Sequence, residues 1–218
     1  MAKVTMAKIL LTAGPTRAYI DDVRYLTNAS SGRMARALAD AALARGHAVT
    51  IVSGPVAVTY PARARVIPVV TTGEMLAAAL AQLPACDGVI AAAAPCDFEP
   101  VRRRVGKIPR QGSGLALQLR PTPDVIATLA RRERPGQWFV AFALEPGADP
   151  QRAFAKITAK RCDLIVVNDV SALEAEANAV TVYDAEHRHV GSRQASKRAV
   201  AGWLIRLIER RLIPGGPS

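Results

Sequence analysis

Strand-length apolar runs alternate with helix-length amphipathic stretches along most of this 218-residue chain, and that alternation constrains its fold more than any other feature. Lys8 to Thr12 (KILLT) reads as a buried strand, stopped by the turn Ala13-Gly14-Pro15-Thr16. A polar stretch reaches Asn28. Ser30-Ser31-Gly32 then opens a helix over MARALADAALARG, with apolar residues at helical spacing and Gly46 at its end. His47 to Val52 is the next strand, and connections this short imply a parallel pair. The pattern repeats with strand Val66 to Val70, a helix opened by the capping box Thr71-Thr72-Gly73-Glu74, and strand Gly88 to Ala93. Thr122-Pro123-Asp124 reads as a cap with proline at the first helical position, leading into VIATLARR and then strand Trp138 to Ala143. Asp149-Pro150 opens a helix to Lys160, and Leu164 to Val167 is one more strand. The fold class that follows is α/β, a Rossmann-like, doubly wound, mainly parallel sheet.

Two regions break the alternation. Asp97 to Leu119 holds Arg102 to Arg104, Lys107, Arg110, three glycines and an alternating LALQL, which predicts a mobile basic loop over about residues 98–114 and a strand outside the main sheet. Asn178 to Val190 reads as a β-hairpin, about residues 178–191, turning near Asp184 to Glu186. Ser196 caps a final amphipathic helix through Leu212, and residues 214–218 form a loose tail. The whole of 1–218 is expected to be a single domain.

A composition of 50% hydrophobic and 22% charged residues excludes an intrinsically disordered chain. The longest apolar runs, such as Trp138 to Leu144, fall far short of the roughly 18 residues that span a bilayer, and the N-terminus lacks the apolar core of a secretory signal. Cys86, Cys96 and Cys162 are odd in number and lack CxxC spacing, so neither a disulfide framework nor a thiolate metal cluster is indicated, and a cytoplasmic setting is expected. The net charge of +11 suits an anionic partner, yet the basic residues are scattered and no nucleic-acid motif is present. Neither nucleic acid nor membrane is therefore expected as a partner. With 23 Arg against 6 Lys, the three lysines between residues 9 and 196 stand out: Lys107, Lys156 and Lys160. A compact ammonium differs from a guanidinium fork at a phosphate, which makes these three candidates for ligand contact against the simpler reading of solvated faces.

In an open α/β sheet ligands bind beyond the carboxyl ends of the strands, which places Gly14, Ala93 to Asp97, Phe142 to Glu145 and Asn168-Asp169 on one rim. The helix opened by Ser30-Ser31-Gly32 points its amides at the same rim. A dinucleotide oxidoreductase is the first alternative for such a fold, but no GxGxxG follows the first strand and no acidic residue ends the second. A Walker loop is also absent. A non-catalytic nucleotide- or nucleic-acid-binding protein is the other alternative.

The motifs TAGPTR (Thr12 to Arg17), VRYLTNASSGRM (Val23 to Met34), VSGP (Val52 to Pro55), Ala91 to Asp97, Lys107-Ile108, TPDV (Thr122 to Val125), FALE (Phe142 to Glu145) and VND (Val167 to Asp169) occur in this order. Together they resemble the phosphopantothenoylcysteine synthetase family, the phosphopantothenate-cysteine ligases of coenzyme A biosynthesis, in register from about residue 8 to 212. The resemblance implies an amide-forming ligase. The carboxylate of 4'-phosphopantothenate attacks the α-phosphate of CTP, with ATP as the other candidate, and releases pyrophosphate. Cysteine then attacks the acyl nucleotidylate. It also implies Mg2+ or Mn2+, a homodimer built on the extra strand and hairpin, and, since the chain begins at the first ligase strand, a form without a decarboxylase and without flavin.

Carried over by register, Asn28 handles the acyl intermediate and Lys107 serves nucleotidylate formation. Lys156 and Lys160 bind the nucleotide, their i, i+4 spacing putting both on one helix face. Thr122, Pro123, Asp124, Val125 and Phe142 flank the nucleotide. Ala93 and Asp97 touch substrate or nucleotide, and Gly14, Ser30, Ser31, Gly32 and Asn168 suit phosphate and ribose. Metal ligands are unassigned. The chain departs from the family pattern at Lys107-Ile108-Pro109-Arg110, at Leu144 and Pro146, and in a shortened SALEAEA loop after Val170.

Overall fold

The computed structural model describes residues 5–110, 112, 114–145, 150–168 and 177–215. In chain order the elements are β1 (Lys8–Ala13), β2 (Arg17–Tyr19), β3 (Tyr25–Thr27), α1 (Arg33–Ala44), β4 (Ala48–Ser53), β5 (Arg65–Pro68), α2 (Thr72–Gln82), β6 (Gly88–Ala91), β7 (Phe98–Pro100) and β8 (Leu119–Pro121). They continue as α3 (Val125–Ala130), β9 (Trp138–Leu144), α4 (Pro150–Lys160), β10 (Leu164–Asn168), β11 (Ala177–Asp184), β12 (His189–Ser196) and α5 (Lys197–Leu212). The main sheet has eight strands in the order β12-β11-β10-β9-β6-β1-β4-β5. The six from β10 to the edge strand β5 are parallel, and the β11–β12 hairpin adds two antiparallel strands beside β10.

The period-two alternation of buried strands sends neighbouring residues to opposite faces. Ile9 and Leu11, Val140, Val166 and Val180 pack under α1 and α5. Leu10, Phe139 and Ile165 pack under α2, α3 and α4. The doubly wound architecture read from the sequence is therefore the observed one. At the end of the sheet where β1 and β4 begin, the buried His47 imidazole accepts from the Ala7 amide at Nδ1 and meets the Glu209 carboxylate at Nε2 (2.9 Å). Arg45 also pairs with Glu209, so α1, β4 and α5 are joined there by polar bonds as well as packing.

The capping box at Thr71 and Glu74 is complete, and Ser196 accepts from the Ala199 amide as the cap of α5. Four sequence expectations need correction. The polar stretch before Asn28 contains the small β2–β3 hairpin, whose pairing uses alternating residues too few to give a periodic signal. The LALQL run is not a strand along its length: β8 starts only at Leu119 and pairs with β7 in a separate two-stranded sheet. The cap of α3 is Asp124, whose side chain accepts from the Ala127 amide, so Thr122 and Pro123 precede the helix. The terminal hairpin runs on to Ser196, five residues beyond its expected end. Asp149, Asp169, the SALEAEA segment from Ser171 and tail residues 216–218 lie outside the described residues, as does the side chain of Ala177. Among the described residues no helix is long and apolar enough to cross a membrane.

Candidate functional site

A cleft of about 540 Å3 opens at the carboxyl ends of the parallel strands. A depression of about 330 Å3 lies at the opposite ends of β1 and β4, lined by Lys8, Arg63 and Arg65, and holds none of the residues singled out by sequence. Of those, the cleft brings together Asn28, Ser30, Ser31, Gly32, Ala93, Asp97, Phe142, Lys156, Lys160 and Asn168. These positions are spread from residue 28 to residue 168, and only the fold makes them neighbours.

The rim is fixed by three threonines. The Thr16 hydroxyl accepts from the Cys96 amide (2.8 Å) and bonds to the Thr72 hydroxyl (2.8 Å). Thr72 and Thr122 hydroxyls both donate to the Cys96 carbonyl. The Ala94 to Asp97 turn is thus held from the β1–β2 turn, α2 and the approach to α3. Asn28 leans on this turn: its Nδ2 donates to the Pro95 carbonyl (2.8 Å) and, at 3.4 Å, to that of Ala94. Asn28 does not cap α1. The cap is Gly32 at φ 73°, without a side-chain bond to the first-turn amides. A Cβ on Gly32 would come within 2.9 Å of Val56 Cγ1 and 3.3 Å of the Tyr60 hydroxyl, so both backbone sign and space require glycine.

On α4 the i, i+4 pair behaves as the spacing predicts, with both ammonium groups at the cleft and each beside a carboxylate. Lys156 pairs with the buried Glu145 just past β9. Lys160 meets Asp124 at 2.8 Å. Asp124 thereby caps α3 and holds a cleft lysine at once. Phe142 is half-buried, lining the cleft while packing on the α1/α5 core, so the core and binding readings of it coexist.

Other sequence candidates stand apart. Gly14 does not line the cleft; it sits at φ 71° where a Cβ would meet Val56 at 2.7 Å, and it shapes the crossing of two loops. Thr122, Pro123 and Asp124 support the rim and Lys160 from outside the lining, and Val125 is core. Lys107 is exposed and away from the cleft. Its neighbours are tied to the β2–β3 turn: the Gly106 amide donates to Asp22 (2.7 Å), the Ile108 amide to Asp21 (3.1 Å), and Arg24 to the Ile108 carbonyl (2.6 Å). Burial would push the enclosed Asp21 carboxyl up, but the Val23, Arg24 and Ile108 amides and the Arg24 charge outweigh it and hold its pKa below the usual value. Lys197 and Asn178 also line the cleft and were missed by sequence reasoning. Lys197 is one of only six lysines and was a readable signal; Asn178, alternating with Val180 and Val182 in β11, reads as an ordinary strand residue.

Among the described residues no three His, Cys, Asp or Glu side chains gather as a metal site. Among the described residues Asp97 is the one carboxylate that lines the cleft. The cysteines are free and buried, and burial pushes the thiols of Cys86 and Cys162 up to about 11 and about 12.

A family model described as the DNA/pantothenate metabolism flavoprotein C-terminal domain matches residues 4–212. A relative named cysteine/cysteine sulfinic acid decarboxylase, from an unknown prokaryotic organism, is 37% identical over 206 residues, covering 92% of this chain and 57% of the relative. The coenzyme A biosynthesis bifunctional protein CoaBC of Bacillus subtilis (strain 168) is 40% identical over 180 residues, 80% of this chain and 44% of the relative. The chain thus spans about half the length of the curated relatives it matches. The crystal structure of the C-terminal domain of a CoaBC protein superposes with a TM-score of 0.80 at 32% identity, covering 95% of this chain and 98% of that one. A Cab2 variant in complex with phosphopantothenate-cysteine shares the fold at 17% identity, with a TM-score of 0.78 over 93% of this chain and 85% of that one.

Proposed function

The chain belongs to the DNA/pantothenate metabolism flavoprotein C-terminal domain family, and from that membership we propose that it is a phosphopantothenate-cysteine ligase that activates its acid with CTP. The observation carrying this reading is the assembly of Asn28, the Ser30 to Gly32 turn, Lys156, Lys160 and Asn168 around one cleft. The curated CoaBC relative and the product-bound Cab2 structure support it by their names.

The chemistry requires cations at a triphosphate and a donor at an acyl oxygen. In the first step a carboxylate oxygen of 4'-phosphopantothenate attacks the α-phosphorus and the bond to the β-phosphate breaks. Pyrophosphate leaves with the negative charge, and Lys156 and Lys160, steadied by Glu145 and Asp124, neutralise that charge as it develops. The uncapped amides at the start of α1 take phosphate oxygens. In the second step the cysteine amine attacks the acyl carbon and CMP departs. Asn28 supplies the N–H it holds only loosely against Ala94 to the carbonyl oxygen. In this reading Mg2+ arrives with the incoming nucleotide and would supply further positive charge at the phosphates.

The active unit is proposed to be a dimer. Phe98, Val101 and Leu119 are exposed on and beside the β7–β8 sheet, an apolar face better suited to a partner than the polar outer hairpin strand. The test of function is pyrophosphate release from CTP that depends on 4'-phosphopantothenate, followed by amide formation that depends on cysteine. A protein that binds CTP and releases no pyrophosphate with the acid present is a binding module, and the ligase reading then fails.

A further inference from the structure

The β10–β11 ladder pairs Asn168 with Val180, so Asn178, two residues before Val180, shares its face and is the diagonal neighbour of Asn168, at roughly 7–8 Å. That face carries Val166, Val180 and Val182 against α1 and α5. At its open end the valines give way to two asparagines, both lining the cleft. Asn178 is only 2% exposed, yet among the described residues its Oδ1 has no hydrogen-bond partner, and the same holds for Oδ1 of Asn168. Two buried carbonyl oxygens without donors are costly to keep unless a ligand supplies the hydrogens.

The neighbours say what kind of donor fits. Lys156, Lys160 and Lys197 line the same cleft, so a polyanion belongs there, and acceptors bearing charge would repel it. Neutral amide oxygens accept hydrogen bonds without repelling a polyanion, and the hydroxyl groups of a sugar are donors that an anionic nucleotide carries. On the adjacent strand Phe142 lies opposite Val166 and Leu144 opposite Asn168, an apolar wall for a base, while the uncapped start of α1 suits phosphate. In a nucleotide the group joining base to phosphate is the sugar.

Resting on the nucleotide reading above, we propose that Asn178 and Asn168 form an acceptor pair for the 2'- and 3'-hydroxyls of the ribose, making Asn178 a determinant of selection for ribonucleotides over deoxyribonucleotides. The hydroxyls donate to the two Oδ1 atoms, and no covalent change is involved.

Calorimetric titration of the whole protein with CTP, 2'-deoxy-CTP and 3'-deoxy-CTP tests this. Each missing hydroxyl is expected to weaken binding by about fivefold to tenfold, the scale of one hydrogen bond. In Asn178→Ala, CTP affinity should fall to that of one deoxy analogue, and the penalty for that hydroxyl should disappear. Equal binding of all three nucleotides by the unaltered protein overturns the proposal without any variant, as does an Asn178→Ala protein that weakens all three by one factor. Pyrophosphate release measured in parallel separates the two readings. Ribose selectivity without pyrophosphate release sinks the ligase and leaves the subsite; turnover that is indifferent to the sugar does the reverse; no binding of any of the three sinks both.

Discussion

The Asn28 amide nitrogen is shared unequally between two carbonyls, at 2.8 Å from Pro95 and 3.4 Å from Ala94, so one of its hydrogens is held and the other is nearly free. The rim turn that the three threonines pin therefore aims this side chain at the cleft, and a single N–H remains to be given to a ligand. Asn28→Asp removes that donor and sets a carboxylate against two carbonyl oxygens. Amide formation is expected to slow by about a hundredfold to a thousandfold, the scale of losing one oxyanion donor, while CTP-dependent pyrophosphate release continues. The acyl cytidylate should accumulate and be seen by mass spectrometry. Equal loss of both half-reactions would reduce Asn28 to a brace for the rim.

Asp124 joins stability to ligand binding because it caps α3 and holds Lys160. The two roles separate by substitution. Asp124→Asn keeps a good cap, so its melting temperature should stay near that of the unaltered protein; Asp124→Ala should lose about 1 kcal/mol. Both lose the charge that steadies Lys160, and both should weaken CTP by a similar factor, roughly twofold to fivefold for a partly exposed pair. An Asn variant that binds CTP like the unaltered protein would show that Lys160 needs no steadying.

The parallel sheet was legible because buried strands of β1, β9 and β10 are continuous apolar runs bounded by turns, and because caps at Thr71 and Ser196 have local signatures. The cleft lysines were legible through their scarcity and spacing. Much less could be read where structure depends on distant pairing. The β2–β3 hairpin and β8 are three residues each and exist through contacts remote in sequence. The carboxylates that position Lys156 and Lys160 come from the end of β9 and the cap of α3, and Asn178 acquires meaning only once β11 lies against β10. In the motif TPDV the last residue, Val125, has its side chain in the core, which the motif read as a unit does not reveal.

Asp21 gathers the amides of Val23, Arg24 and Ile108, and its carboxyl is held below 3.8 in the folded chain. A depressed folded pKa means that its stabilising effect is complete above the unfolded value and is lost as pH falls through the folded one. Tryptic cleavage cannot be read at such acidity, but Asp21→Asn reproduces the loss of charge at neutral pH. Cutting at Arg102, Arg103 or Arg104 should then be roughly tenfold faster, the anchor of the adjoining loop having lost charge-assisted bonds. Unchanged cleavage would show that Asp22 and Arg24 suffice to hold it.

The buried thiols of Cys86 and Cys162, raised to about 11 and about 12, are almost wholly protonated at pH 8. Because the thiolate is the reactive form, both should resist alkylation in the folded protein and react on unfolding. Peptide mapping after iodoacetamide treatment reads this directly, and rapid native labelling of Cys162 would mean that the α4–β10 connection opens far more often than its buried position suggests.

Lys107 poses the sharpest test of the proposed mechanism because it stands outside the cleft, between two amides bound to Asp21 and Asp22. In the proposed mechanism its ammonium reaches the triphosphate when the segment closes over bound substrates, and the anchors to Asp21 and Asp22 oppose that closure. Weakening one anchor by Asp22→Asn should therefore not abolish activity, whereas Lys107→Gln should stop pyrophosphate release and spare turnover of a chemically prepared acyl cytidylate with cysteine. Lys107→Arg separates position from charge. Arg102, Arg103, Arg104 and Arg110 already supply guanidinium groups in the same segment, so if bulk positive charge were enough the variant would match the unaltered protein. If a compact ammonium must meet the reacting phosphate, its first-step rate should fall by at least about tenfold in rapid-quench measurements. A fully active Lys107→Arg protein would remove this lysine from the chemistry and leave Lys156 and Lys160 as the cations that carry it.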